Sequence, residues 1–182
     1  MRESTQDKTG DELRGTRLAS PIPRPDFSLI DTGGSEFNFH ARTDGYATLL
    51  FFGYTNCPDV CPVHMANIAA ALGRVGWRTR QRVKVVFVTT DPDRDTPERI
   101  REWLDRFDSS FIGLHGTTAE VAAVQAELKL PRSVMPHDTT GDYDVGHAAQ
   151  VLAFSPSGPA IVAYPFGTRQ ADWVHDLPLL VQ

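Results

Sequence analysis

Ala47-Thr48-Leu49-Leu50-Phe51-Phe52-Gly53-Tyr54-Thr55-Asn56-Cys57-Pro58-Asp59-Val60-Cys61-Pro62 is the stretch on which the fold turns. Its first six residues make a near-continuous apolar run that stops at a glycine, the pattern of a strand covered on both faces. Residues 62–75 then place Val63, Ala66, Ile68, Ala69 and Leu72 close to helical spacing, and residues 83–89 form a second apolar run. Strand, helix and strand in this order predict a parallel pair joined by a right-handed crossover.

Upstream, Phe27 and Leu29, then Phe37 and Phe39, flank the turn sequence Asp31-Thr32-Gly33-Gly34 and predict a hairpin. Downstream, Asp91-Pro92-Asp93-Arg94-Asp95-Thr96-Pro97-Glu98 reads as a loop ending in a helix start. Thr96 or Asp95 would be the N-cap and Pro97 the first helical residue. That helix is expected to run to about 107. A strand at 111–114, a helix at 118–128 and a long polar loop at 131–146 follow. A hairpin at 149–155 and 160–164, turning on Pro156-Ser157-Gly158, leads into a last helix at 171–181. A β-α-β half followed by a β-β-α half predicts an α/β thioredoxin-like three-layer sandwich, here with an N-terminal β-hairpin extension.

The first 15 residues are polar and hold neither the apolar core nor the cleavage site of a signal peptide. Residues 1–20 are expected to be a flexible segment, the remnant of a spacer whose upstream anchor has been removed, and residues 21–182 the domain. Pro21-Ile22-Pro23-Arg24-Pro25 would be its stiff, extended lead-in. Composition is that of an ordinary globular chain, with 41% hydrophobic and 23% charged residues among 182. Eighteen Lys and Arg against 23 Asp and Glu give a net charge of −5, and no basic run occurs, which argues against nucleic acid as a partner.

Only two cysteines are present. Cys57 and Cys61 bracket Pro-Asp-Val and precede another proline, a sequence unsuited to a core helix, so they read as a working pair rather than as small hydrophobes. The chain leaving the carboxyl end of a central strand carries Cys57 to the edge where open α/β sheets bind ligands. Cys61, just before Pro62, is expected at a helix N-terminus, where unpaired N–H groups stabilise a thiolate and depress at least one of the two pKa values. Asp91 leaves the next parallel strand at the same edge. A strand starting near residue 148 would run antiparallel and bring His147 back to that rim. Two thiolates and an imidazole suit Cu(I), which accepts three ligands; zinc would ordinarily require a fourth. Of six histidines, His40 is expected on the surface and His64 on a solvated helix face. His115 and His137 are alternatives to His147.

Phe52 to Pro62, together with Asp91-Pro92-Asp93-Arg94-Asp95-Thr96-Pro97, resembles the SCO/SenC family of copper-binding thioredoxin-fold proteins, over about residues 25–180. The three-residue spacing between the cysteines differs from the two-residue spacing of thioredoxins. The resemblance implies that Cys57, Cys61 and His147 bind copper, as Cu(I) or Cu(II), with Asp91 a candidate to support them from behind. It implies a metallochaperone that assists assembly of the copper A centre of cytochrome c oxidase. The implied partners are the copper A subunit, another copper chaperone or a thioredoxin-like reductant. The implied location is the outer face of a bacterial cytoplasmic membrane, or the mitochondrial intermembrane space, with a membrane tether. The family commonly has Asp before this histidine, whereas Gly146 stands there in this chain. A thiol–disulfide oxidoreductase is the alternative reading, with a thiol peroxidase and a redox sensor behind it.

Overall fold

A computed structural model describes residues 12–131 and 149–182. One eight-stranded sheet runs through it. Its strands in chain order are β1 (Thr16–Ile22), β2 (Ser28–Asp31), β3 (Glu36–Asn38), β4 (Ala47–Gly53), β5 (Val83–Thr89), β6 (Ile112–His115), β7 (Val151–Phe154) and β8 (Ala160–Tyr164). Across the sheet they lie in the order β1-β8-β7-β4-β5-β6-β2-β3. Among the described residues the helices are α1 (Phe39–Thr43), α2 (Val60–Arg74), α3 (Trp77–Arg80), α4 (Pro97–Asp105), α5 (Thr118–Glu127) and α6 (Gln170–Leu180).

All seven residues of β4 are buried, as the apolar run requires, and β4 pairs parallel with β5 from Ala47↔Val83 to Gly53↔Thr89. On one face Leu49, Phe51, Val85 and Phe87 meet Met65 and Ile68 of α2, Ile100 and Leu104 of α4, and Trp173 and Leu177 of α6. On the other, Leu50, Phe52, Val86 and Val88 meet Phe39 of α1, Val121 and Val124 of α5, and the hairpin residues Phe27, Leu29 and Phe37. The alternation along each strand feeds the two cores in turn, which is the three-layer arrangement the element pattern predicts. The hairpin β2–β3 extends the sheet by docking β2 antiparallel on β6.

Two element starts differ from the sequence reading, and a third settles between its alternatives. Residues 16–20 belong to β1, which pairs antiparallel with β8, so the domain begins ahead of the proline-rich stretch. The buried Asp176 carboxylate explains this: it accepts the backbone N–H of Arg14 at 2.8 Å and of Gly15 at 3.1 Å, and the Tyr164 hydroxyl at 2.8 Å. Helix α2 starts at Val60 rather than at 62, with Pro62 in its first turn, where its missing N–H costs nothing. At α4, Thr96 is the N-cap of the two candidates, accepting the Arg99 N–H, with Pro97 first in the helix as expected. Among the described residues no helix is long and apolar enough to cross a membrane.

Candidate metal and thiol site

Strands β4 and β5 both end at one edge of the sheet, at Gly53 and Thr89. Strand β7 runs antiparallel to β4, with Leu50 opposite Leu152, so it starts at this edge, and Val151 lies beside Tyr164, where β8 ends. The segment 54–59 crosses this rim into α2 and carries the first cysteine. Cys57 is partly buried and Cys61 fully so; both are free thiols.

Close approach sets the position of the second sulfur. A Cβ added to Gly53 would stand 2.7 Å from Cys61 Sγ and 2.9 Å from the Phe51 ring. Glycine at the end of β4 therefore leaves the space that the sulfur fills. The Cys57 sulfur lies over the start of α2 and accepts the Cys61 backbone N–H at 3.3 Å. Its pKa is lowered to about 6, chiefly by a hydrogen bond from the Cys61 thiol, then by backbone N–H groups of Cys61, Asp59 and Val60, with burial opposing. The Cys61 thiol is pushed strongly up, first because it donates to Cys57 and then by burial. The expected acidic thiol exists, and it is Cys57, whose sulfur faces the unpaired helix N–H groups from outside the helix, whereas Cys61 is itself a helical residue.

The loop before Cys57 is tied down from α4 and β5. The buried Asp95 carboxylate accepts the Thr55 N–H at 3.0 Å, the Thr55 hydroxyl at 2.5 Å and the Thr89 hydroxyl at 2.7 Å. Arg99 donates to the Thr55 hydroxyl at 3.1 Å and to the Asn56 side-chain oxygen. Sequence reading took Asp95 only as a possible cap, since nothing local links it to Thr55. Asp91 is buried at the expected edge, and its carboxylate is paired with Arg94.

The described histidines are placed away from the sulfurs or engaged otherwise. His40 is exposed on α1, at the entry side of β4. His115 closes β6 beside Ile30 of the edge hairpin, and His175 on α6 donates to Asp176. His64 corrects the reading of a solvated helix face. It is 2% exposed, packs against Phe51 and Phe166, and its Nε2 lies 2.7 Å from the Ala149 carbonyl oxygen. His137, Gly146 and His147 lie outside the described residues. Among the described residues no three His, Cys, Asp or Glu side chains come together as a metal-binding group.

The SCO1/SenC family model matches residues 16–182. The chain belongs to the SCO1/SenC family. A SCO2-like protein of Rickettsia conorii is 36% identical over 134 residues, which is 73% of this SCO1/SenC chain and 64% of that protein. The mitochondrial protein SCO2 of Saccharomyces cerevisiae is 31% identical over 141 residues, 75% of this chain and 46% of that one. The chain spans less than two thirds of the length of several curated relatives it matches, 46% of the Saccharomyces cerevisiae protein and 38% of an Arabidopsis thaliana SCO1 homologue. Among solved structures, apo Sco1 of Thermus thermophilus superposes with a TM-score of 0.77 at 29% identity, covering 92% of this chain and 96% of that one. ScoI of Bradyrhizobium japonicum with copper bound gives 0.70 at 30% identity, covering 88% and 98%. The fold of this SCO1/SenC chain is accordingly the thioredoxin-like one that its sequence predicts.

Proposed function

We propose that this chain is a copper metallochaperone whose cargo is one copper ion, Cu(I) or Cu(II), held by Cys57, Cys61 and His147 and passed to the copper A subunit of cytochrome c oxidase. The observation that carries the reading is the sulfur pair itself: one acidic, accessible thiol and one buried thiol, joined through the start of α2 at the open rim. Two soft donors favour Cu(I) over hard cations, which need several oxygens. Copper is bound in the Bradyrhizobium and yeast Sco structures, at 30% and 29% identity to this chain. Another copper chaperone would load the site, and a thioredoxin-like reductant would keep both sulfurs reduced. Asp91 would support the ligands from behind, and the domain would work on the outer face of a membrane, tethered by a segment ahead of β1. Copper titration of the reduced chain and of Cys57→Ser, Cys61→Ser and His147→Ala tests the reading. About one copper per chain, lost in each variant, is the expected result; unchanged binding in both cysteine variants overturns it.

The thiol pair also favours a second reading, a thiol–disulfide oxidoreductase. The Cys57 thiolate would attack a partner disulfide, and Cys61 would resolve the mixed disulfide, leaving Cys57–Cys61 oxidised and the partner a dithiol. That chemistry needs no histidine. Oxidase assembly that survives His147→Ala but fails in the cysteine variants would select it.

A further inference from the structure

The stretch from Arg74 to Lys84 holds five basic residues, Arg74, Arg78, Arg80, Arg82 and Lys84, and no acidic one. The whole chain carries −5, so this stretch, at +5, leaves −10 on the rest. The five alternate with neutral residues and make no run in the sequence. Tertiary structure sets them at one end of the molecule: α2 stops at Arg74, α3 follows, and β5 starts at Val83 beside Ala47, where β4 also starts. Seven paired residues of β4 and β5 separate this end from the Cys57 rim by about 20 Å. Trp77 stands in the middle of the stretch and is 65% exposed, whereas Trp103 and Trp173 are buried. The Arg78 guanidinium lies 5.8 Å from the centre of its indole. Tyr46, just ahead of β4, is also exposed and carries Lys84 Nζ 3.9 Å from its ring centre. Of the carboxylates nearby, Asp108 is paired with Arg80 at 2.7 Å and Asp44 acts on Arg24. Among the described residues, Arg74, Arg78 and Arg82 are exposed and have no carboxylate within ion-pair distance.

We propose that this end of the molecule docks on the headgroup layer of an anionic phospholipid bilayer, with the Trp77 indole entering the layer and Arg74, Arg78 and Arg82 meeting lipid phosphates. Neither copper nor the cysteines enter into this contact. A protein interface keeps its charges at the edge of an apolar centre. Here the charges are dense and both exposed aromatic rings carry a cation, so no dry centre is on offer. A headgroup layer suits such a surface. Amphipathic Trp and Tyr rings settle there, a guanidinium pairs with phosphate through two N–H groups, and the negative surface potential attracts each cation. The same potential repels the acidic remainder of the chain, which fixes the orientation: α3 against the bilayer and the Cys57 rim at the far end, open to a partner.

The reduced full chain is sedimented with vesicles of phosphatidylcholine alone and of phosphatidylcholine with phosphatidylglycerol, and its indole emission is read on vesicles with brominated acyl chains. Wild type should pellet with the anionic vesicles only, release as salt is raised, and have its emission quenched by bromine through Trp77, since the other two indoles are buried. Each arginine near such a surface contributes about fivefold to binding, so Arg74→Gln, Arg78→Gln and Arg82→Gln combined should bind about 100-fold more weakly. Trp77→Ala should bind about 10-fold more weakly and lose the quenching. All four side chains are exposed, so thermal melts and copper retention of these variants should match wild type. Absence of pelleting with anionic vesicles overturns the proposal, as does equal pelleting of the triple variant or pelleting without bromine quenching. Binding to poly-glutamate but not to vesicles overturns it in favour of an acidic protein surface. Every one of these outcomes leaves the copper reading untouched, because that reading fails only through Cys57, Cys61 and His147.

Discussion

Asp95 holds Thr55 twice, by its backbone N–H at 3.0 Å and by its hydroxyl at 2.5 Å, and so fixes the loop that presents Cys57 to the end of β5. Asp95 is 1% exposed, and its donors described above come from the loop after β4 and from the end of β5. Asp95→Ala leaves the Thr55 N–H and two hydroxyls without this acceptor. We expect a loss of at least about 2 kcal/mol in denaturant unfolding, since buried donors left unpaired cost about 1–3 kcal/mol each. Asp95→Asn should lose less, because its amide oxygen still accepts. Equal stability of Asp95→Ala and wild type would show that the tie contributes nothing.

Gly53→Ala places a methyl 2.7 Å from Cys61 Sγ, with Phe51 and Phe87 closing the other sides at 2.9 and 3.0 Å. Central strand β4 cannot yield without disturbing both cores. Overpacking of this kind costs about 1–3 kcal/mol, and the sulfur has to leave its place. The expected signature is a lowered denaturation midpoint together with weakened copper retention; wild-type values of both would refute the steric argument.

Alkylation by iodoacetamide should follow the two thiols separately. Cys57 reacts as thiolate, so its rate should rise through pH 6 and level off above about pH 7, while Cys61 stays unmodified across the neutral range. Cys61→Ala removes the largest stabilising hydrogen bond to the Cys57 thiolate. The midpoint should then move up toward the ordinary thiol value of about 8.5. Mass mapping of the alkylated peptides at each pH checks both statements, and a midpoint unmoved by Cys61→Ala counts against the thiol–thiolate hydrogen bond.

Asp176 gathers the Arg14 and Gly15 N–H groups, the Tyr164 hydroxyl and His175 around one buried carboxylate. With β1 clamped in this way, trypsin should cut slowly after Arg14 and Arg17 in the folded chain. Asp176→Ala should speed cleavage at both sites and lower stability by at least about 2 kcal/mol. Equal cleavage rates in the two proteins would place the start of β1 under some other control.

Local pattern was enough for most of the architecture. The apolar runs that became β4 and β5, the apolar periodicity that announced α2, and the Thr96-Pro97 helix start each act within a few residues, so they are legible in sequence, although of that periodicity Ile68 and Leu72 are buried while Val63 and Ala66 are exposed. Given those elements, the crossover rule alone puts Cys57 on the rim, because a parallel neighbour and an antiparallel return leave no other edge for it. Tertiary structure decided what depends on residues far apart in the chain. Residues 16–20 look like a polar leader by composition, and become a strand because Asp176 and β8 receive them. His64 looks solvated by helical phase, and is buried because Phe51, Phe166 and Ala149 arrive from three other segments. Which cysteine is acidic follows from which sulfur faces the helix N–H groups, a matter of a few ångströms that spacing alone does not carry.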